Sequence, residues 1–183
     1  MSQTVKHQIK HRFTDAVLFE CDVPTEIESG LHTRYALEKA TQARANLADA
    51  NLAGANLAGT NLVDANLAGA NLAGAKLAGT KLAGANLADA NLAGAKWING
   101  TPIARAPLQL FGLRWNITIV DAHMQIGCQM HALHAWDAFT DEEISEMDSD
   151  ALEFWTAHKS FLIGMARADG RSFEPVEQAA EAA

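Results

Sequence analysis

The chain has 183 residues, a formal net charge of −8 and 49% hydrophobic residues, of which few are aromatic. This length allows one domain or two small ones, and the shortage of aromatic side chains argues against one layered core along the whole chain. No apolar run is long enough to cross a bilayer, and two cysteines are too few for a disulfide framework. Because the first twelve residues lack the apolar stretch of a secretory signal, we expect a cytoplasmic protein.

Charge divides the chain into parts. Residues 1–44 and 45–99 each sum to zero, whereas the remaining residues carry five basic and thirteen acidic side chains. We predict an N-terminal capping segment at 1–44, a repeat segment at 45–99 and a C-terminal hairpin with a helical cap at 100–169. The tail at 170–183 is predicted to be disordered because of its composition and terminal position.

The N-terminal segment contains two predicted elements. Alternation over residues 13–23 predicts a strand with Val17, Phe19 and Cys21 on one face. Apolar residues at helical spacing predict a helix over residues 30–44. Together they form a strand-plus-helix cap, in which Cys21 is interpreted as a small buried apolar side chain.

Residues 45–99 repeat with a period of five. The sequence begins Ala-Asn-Leu-Ala-Asp, Ala-Asn-Leu-Ala-Gly and continues for eleven pentads. The first position is always Ala or Thr, and the fifth is Gly, Asp or Asn. The third position is apolar in every pentad, and these residues are the predicted inner core: Leu47, Leu52, Leu57, Leu62, Leu67, Leu72, Leu77, Leu82, Leu87, Leu92 and Trp97.

Neither a helix nor a continuous strand suits this period. In a helix, five residues advance about 140° beyond one full turn, so the leucines would spiral around the axis, and each internal glycine would cost about 1 kcal/mol. In a continuous strand the odd period would reverse the faces at every repeat. A corner in each pentad removes this conflict, and the residues at the fifth position tolerate left-handed turn conformations.

The pentads resemble the pentapeptide-repeat family, whose motif is a small residue, Asn or Asp, Leu or Phe, a variable residue, and often Gly. The resemblance implies a mainly β fold, a short right-handed quadrilateral β-helix with four pentads per coil and about three coils here. At about 4.8 Å per coil, such a rod is roughly 13 Å long. Asn51, Asn71 and Asn91 would then stack on the outside, where Asn71→Asp is expected to matter little. The second-position lysines either keep the coil soluble or form a small anion-binding edge.

The C-terminal segment reads as a hairpin followed by helices. Alternation predicts a strand over residues 113–120 and a second strand over residues 123–128. Thr140 and Glu143 have the spacing of a capping box at a helix start. Asp148 is predicted to cap a second helix.

A small cluster carries the candidate chemistry. His123, Cys128, His131 and His134 are the candidate metal ligands, since cysteine and histidine bind zinc and four of them suit a tetrahedral site. The spacing between His131 and His134 is shorter than usual, and one thiolate is available. A Cys128–His nucleophilic pair is an alternative without a visible oxyanion site. Packing and surface roles are the simplest interpretation, so we expect no cofactor and no enzyme activity.

Acidic residues are concentrated in the C-terminal segment. Eight carboxylates lie between Asp137 and Glu153. They either solvate and cap helices or attract a basic partner. We therefore predict a non-catalytic interaction or structural module that contacts an unknown protein partner through this region, without membrane association or direct nucleic-acid binding.

Two alternatives remain at this stage. Some pentapeptide-repeat relatives act on topoisomerases such as gyrase as long acidic mimics of DNA. A 13 Å length of duplex would present about eight negative charges, whereas these repeats sum to zero. The other alternative is a zinc-binding or catalytic C-terminal domain.

The aromatic residues of the C-terminal segment allow two assemblies. They either form the surface of a homodimer or an intrachain core. The residues concerned are Trp136, Phe139, Phe154, Trp155 and Phe161.

Overall fold

A computed structural model describes residues 3–174, which form two compact units divided between Pro107 and Leu108. The first unit contains β1 (Thr4–Lys10), β2 (Val17–Pro24), a 3-10 turn (Ser29–Leu31), α1 (His32–Gln42) and a second 3-10 turn (Ile98–Gly100). The second contains β3 (Leu108–Leu110), β4 (Ile117–Val120), β5 (His123–Ile126), β6 (Gln129–Ala132), α2 (Leu133–Ala138), α3 (Asp141–Ser145) and α4 (Ala151–Ala168). Among residues 3–174, no helix combines the length and apolar character that a membrane crossing requires.

The repeats stack with an interval of twenty residues. Parallel bridges join Asn46 to Asn66 and Asn51 to Asn71, so each pentad pairs with the pentad four positions later. The Leu47 amide donates to the carbonyl of Asn66 at 3.1 Å, and equivalent bonds recur along the repeats. The pentads therefore build a β-helix-like solenoid rather than a helix or an extended strand.

The fifth position of each pentad makes the predicted corner. Asp49 has a φ of 56° and Gly69 a φ of 68°, and the same left-handed conformation occurs at every fifth position from 49 to 94. At position 69 an added Cβ would lie too close to Asp49 Oδ1, so the carboxylate of Asp49 would have to move to admit it. Backbone conformation thus explains why this position is restricted to residues that tolerate positive φ.

The third-position side chains fill the solenoid. Leu57, Leu67 and their counterparts are almost completely buried, and Trp97 at the last pentad is 6% exposed. Two first-position threonines are also buried, and both hydroxyls donate to the carbonyl of Leu57, at 2.6 Å from Thr60 and 2.8 Å from Thr80. The two threonine hydroxyls that stand in place of alanine inside this narrow core are therefore both hydrogen-bonded.

The outward asparagines form hydrogen-bonded ladders. Asn71 Nδ2 donates to Asn51 Oδ1 at 3.5 Å, and Asn71 Oδ1 accepts from Asn91 Nδ2 at 3.3 Å. The same Oδ1 accepts the amide of Ala73 at 3.2 Å, two residues ahead. Asn71 therefore stabilises both the stacking of the coils and the turn that follows it. The sequence pattern indicates only that this position faces outward.

These ladders change the expectation for Asn71→Asp. The substitution removes the donor to Asn51 and places two acceptors against each other, so we expect a loss of about 0.5–1.5 kcal/mol. Asn56→Asp is the matched control, because position 56 stacks beside Lys76 and, among residues 3–174, its side chain accepts only the nearby Ala58 amide. Urea unfolding should rank Asn71→Asp below Asn56→Asp, and the reverse order would contradict a role for the ladder.

The N-terminal cap is a hairpin with a helix packed on it. β1 pairs antiparallel with β2, and the chain after β1 continues onto the first pentads, where the Asn51 amide donates to Lys10 O at 2.8 Å. Ile9, Val23 and Leu37 are buried between the hairpin and α1. The predicted strand and helix are present, although β2 starts at residue 17 rather than 13. β1 lies among the first twelve residues, where the sequence predicted no element.

Residues 100–107 extend the first unit. The Ile103 amide donates to Ala95 O at 2.7 Å, and Pro102 bridges Lys96. Ile103 is buried. The chain after the last pentad thus continues to bond with the repeats, whereas we had placed it in the C-terminal segment.

The second unit is a four-stranded antiparallel sheet with three helices. The strand order is β3-β4-β5-β6, so the predicted hairpin of β4 and β5 gains a neighbour on each side. Buried side chains from the sheet and the helices form one hydrophobic core, which includes Ile117, Ile119 and Leu162. Phe173 of the predicted tail packs against this core and Arg171 is buried, while the residues after Glu174 lie outside the described part of the chain.

The helix starts differ in how they are capped. Thr140 accepts from the Glu143 amide, and the Glu143 carboxylate accepts from the Thr140 amide at 2.9 Å, which is the predicted capping box. Asp148 does not cap α4. Its Oδ1 accepts the amide of Asp150 at 3.1 Å, in a local turn before the helix.

Candidate functional site

The candidate ligands lie around the β5–β6 hairpin of the second unit. His123 pairs with Ala132, and His131 pairs with Met124. Since successive residues of a strand point to opposite faces, His123 and His131 lie on opposite faces of the sheet. Cys128 lies in the short turn that joins the two strands and is exposed.

His131 belongs to an aromatic cluster. Its ring meets Trp136 and Phe139 edge-on, with centroid separations of 5.2 Å and 5.0 Å. Its Nε2 is buried and has no hydrogen-bond partner in the described residues. Such surroundings suit a neutral imidazole used for packing.

The four candidates do not converge. His134, on α2, is close enough to His123 to lower its pKa, but the hairpin register separates that pair from His131. In the part of the chain that the structure describes, no group of three or more His, Cys, Asp or Glu side chains is arranged to hold a metal ion. The geometry thus lends no support to the zinc site or to a Cys128–His pair. Both stay predictions, and metal analysis of the purified protein tests the first.

Two partly buried histidines, His123 and His131, predict a pH dependence of stability. Burial lowers the pKa of His131, and burial followed by the neighbouring His134 lowers the pKa of His123. The unfolded chain, with ordinary histidine pKa values near 6.5, therefore binds these protons more readily. Stability should be highest above about pH 6.5 and fall as the pH drops through and below that value.

Replacing one histidine tests this pH dependence. His131→Phe keeps a ring in the cluster and sacrifices no hydrogen bond at Nε2. We expect it to flatten the fall in unfolding free energy between pH 7 and pH 5, measured by urea unfolding across that interval. An unchanged slope would show that His131 is not one of the titrating groups.

The aromatic side chains of this unit form an intrachain core. Trp136 and Trp155 lie 5.1 Å apart, and Trp136 Nε1 donates to Met124 O at 2.7 Å. Phe154 is buried in the same core. Of the five aromatic residues considered for a dimer surface, Phe161 is exposed. The other four pack in or against the core of this unit.

A cavity of about 60 Å³ opens beside this core. Four aromatic residues line it, and the exposed residues Cys128 and Asp148 are among the other lining residues. The aromatic residues are Trp115, Trp136, Phe154 and Trp155. The sequence analysis left three of these residues, Trp136, Phe154 and Trp155, open between an intrachain core and a dimer surface, and their separation along the chain concealed that they border one space.

The acidic segment contributes one carboxylate, Asp148, to the lining of this cavity. Asp150 pairs with Arg114, and Asp137 pairs with Arg167 at 2.7 Å. Glu142 and Glu146 are exposed, and neither has an ion-pair partner within residues 3–174. Most of the surface carboxylates are therefore uncompensated.

Comparison with known families agrees with the repeat geometry. Residues 45–84 and 70–96 match the family of pentapeptide repeats, with eight copies. No curated protein and no solved structure matches the chain. The matched residues are those that stack at twenty-residue intervals and turn at every fifth position. The chain therefore contains pentapeptide repeats, which the family model matches over residues 45–96.

Proposed function

We propose that this protein is a non-catalytic interaction module, in which the repeats are a scaffold and the second unit contacts a basic protein partner. The carrying observation is the set of exposed carboxylates that have no internal cation among the described residues. They are Asp141, Glu142, Glu146, Asp148 and Glu153.

The charge of the second unit supports a basic partner. Between residues 108 and 174 there are four basic and eleven acidic side chains, so this part carries a formal charge of −7. Such a field raises the association rate of cationic partners and weakens as salt is added. The proposal therefore includes binding that loses affinity at high ionic strength.

We further propose that the scaffold is a right-handed quadrilateral β-helix of about three coils. The twenty-residue stacking interval supports four pentads per coil. The pentads use their third residue for packing and their fifth for the corner, and two of the second-position columns form asparagine ladders. Scaffolding is the role that this use of side chains favours.

Mimicry of DNA by the repeats is a weaker candidate. Their three Asp residues are offset by three Lys residues. One of these carboxylates, Asp49, lies 3.6 Å from Arg12 Nε of the N-terminal cap. A gyrase supercoiling assay tests this alternative. Inhibition of supercoiling that is lost when surface residues of the repeats are replaced would contradict our proposal.

Site-specific photo-crosslinking in the native host tests the proposed contact surface. A photoreactive residue replaces Glu142 on α3 in one variant and Lys76 on the repeats in the control, since both side chains are exposed. We expect one protein to be captured repeatedly from position 142 and not from position 76, with capture reduced by added salt. Capture from position 76 alone would assign the contact to the repeats instead.

A further inference from the structure

We propose that the cavity of the second unit binds one cationic side chain, Lys or Arg, of a partner protein. The inference rests on the proposed function, and adds the chemistry of the contact to it. The cavity lies entirely among residues of this unit, between the β5–β6 turn, the end of α3 and the start of α4.

The walls of the cavity suit a cation. The faces of tryptophan and phenylalanine rings attract ammonium and guanidinium groups. Two of the lining rings already receive cations from this chain, since Arg114 Cζ lies 5.2 Å from the Trp115 centroid and Lys159 Nζ lies 5.6 Å from that of Trp155. The same rings contribute to the cavity, where the structure places no cation of its own among the described residues.

A carboxylate and a donor complete the site. Asp148 lines the cavity, and its Oδ1 accepts from the Asp150 amide, while its Oδ2 has no partner in residues 3–174. Trp155 is 4% exposed, and its indole Nε1 has no acceptor within the described residues. A peptide brings both a cation for Asp148 and carbonyl oxygens for donors, whereas a free amine brings the cation alone.

Size and charge narrow the occupant. A volume of about 60 Å³ admits one extended side chain and is too small for a nucleotide-sized cofactor. The excess of carboxylates on this unit disfavours a phosphate or an acidic peptide and favours a basic one. A lysine or arginine side chain, with an apolar stem and a charged head, matches both properties.

Nuclear magnetic resonance of the full chain tests the site. The four tryptophan indole N–H signals are followed as the blocked peptide acetyl-Gly-Lys-Gly-amide is added, with the norleucine peptide as the uncharged control. We expect saturable shifts for the cavity tryptophans and none for Trp97, which belongs to the first unit. The lysine peptide should bind at least about five-fold more tightly than the norleucine peptide.

Variants separate the parts of the argument. Ala151→Leu fills the cavity at the first turn of α4 and should abolish the shifts. Asp148→Asn keeps the acceptor for the Asp150 amide and should weaken lysine-peptide binding about three-fold or more. Glu142→Gln removes one exposed charge away from the cavity lining and should leave the affinity within about two-fold.

The outcomes distinguish this inference from the proposed function. Equal binding of the two peptides would overturn the cationic occupant, and the absence of any shift would overturn the site. If the indole signals of Ala151→Leu lose their native dispersion, that variant is misfolded. The Asp148→Asn variant and the norleucine peptide then test the site. If the peptides bind equally or cause no shift, while crosslinking from position 142 succeeds, the cavity inference is overturned and the proposed function stands. Crosslinking from position 76 alone overturns the proposed function, whatever the peptide does.

Discussion

Leu72→Asp is expected to unfold the repeats. Leu72 is 1% exposed, and its amide donates to Asn91 O within the stack. A carboxylate at this position would enter a column of leucines, where the neighbouring first-position side chains are alanines that offer no hydrogen bond. Burying an unpaired charge costs several kcal/mol, about 3–5 kcal/mol after partial relaxation, which is comparable to the whole stability of a small domain.

Far-UV circular dichroism and urea unfolding measure this effect. The matched control is Ala78→Asp, which introduces the same charge at an exposed fourth position in the next pentad. We expect the control to differ from the original chain by less than about 0.5 kcal/mol. A Leu72→Asp protein as stable as the Ala78→Asp control would contradict the inward placement of the third position.

Trp136→Ala is expected to have the second largest effect. Trp136 is 3% exposed and contacts His131, Phe139 and Trp155 through its ring. Removing it leaves a large cavity in the core of the second unit and frees Met124 O from its hydrogen bond. Substitutions of this kind lower the free energy of unfolding by about 3–5 kcal/mol.

Trp136→Phe separates packing from hydrogen bonding. Phenylalanine keeps an aromatic ring in the cluster but lacks the Nε1 donor to Met124 O, so we expect an intermediate loss of about 1–3 kcal/mol. The unfolding of each variant is followed in urea by near-ultraviolet circular dichroism. If both substitutions had equal effects, the hydrogen bond rather than ring packing would govern the stability of this core.

The repeats were predictable because their pattern is local. Each pentad presents one large apolar residue, one outward polar residue and one residue that accepts positive φ, as at Asp49 and Gly69. An odd period with a turn residue in every copy admits few regular structures. The Asn ladder escaped prediction because its hydrogen bonds join residues twenty positions apart, as Asn66 and Asn46 are.

The flanking strands were harder to predict. β1 carries polar outward residues such as Lys6 and Gln8, and Ile9 is its one buried residue. Its sequence therefore resembles that of an unstructured segment. Its pairing with β2 and with the first pentads makes it a strand. β6 was likewise hidden, because its alternation is brief and runs directly into α2.

Which side chains of the second unit lie close together also depended on the tertiary structure. Spacing along the chain grouped His123 and His131 with Cys128, but strand alternation puts the two histidines on opposite faces. Trp115 and Trp155, forty residues apart in sequence, meet around one cavity instead. The sequence predicted a strand around Trp115 and left Trp155 open between a core and a dimer surface, so the space between them was not predictable.

The sequence alone determined the period, the inward leucines, the corner residues and the location of the negative charge, because each follows from the identities of neighbouring residues. Only the tertiary structure decided the division after Pro107, the pairing of β1 and the cavity bordered by Asp148. Those features depend on contacts between distant residues, whose free energies no local pattern records. The net charge of −8 thereby acquires a specific place, on a unit whose cavity is suited to a cation.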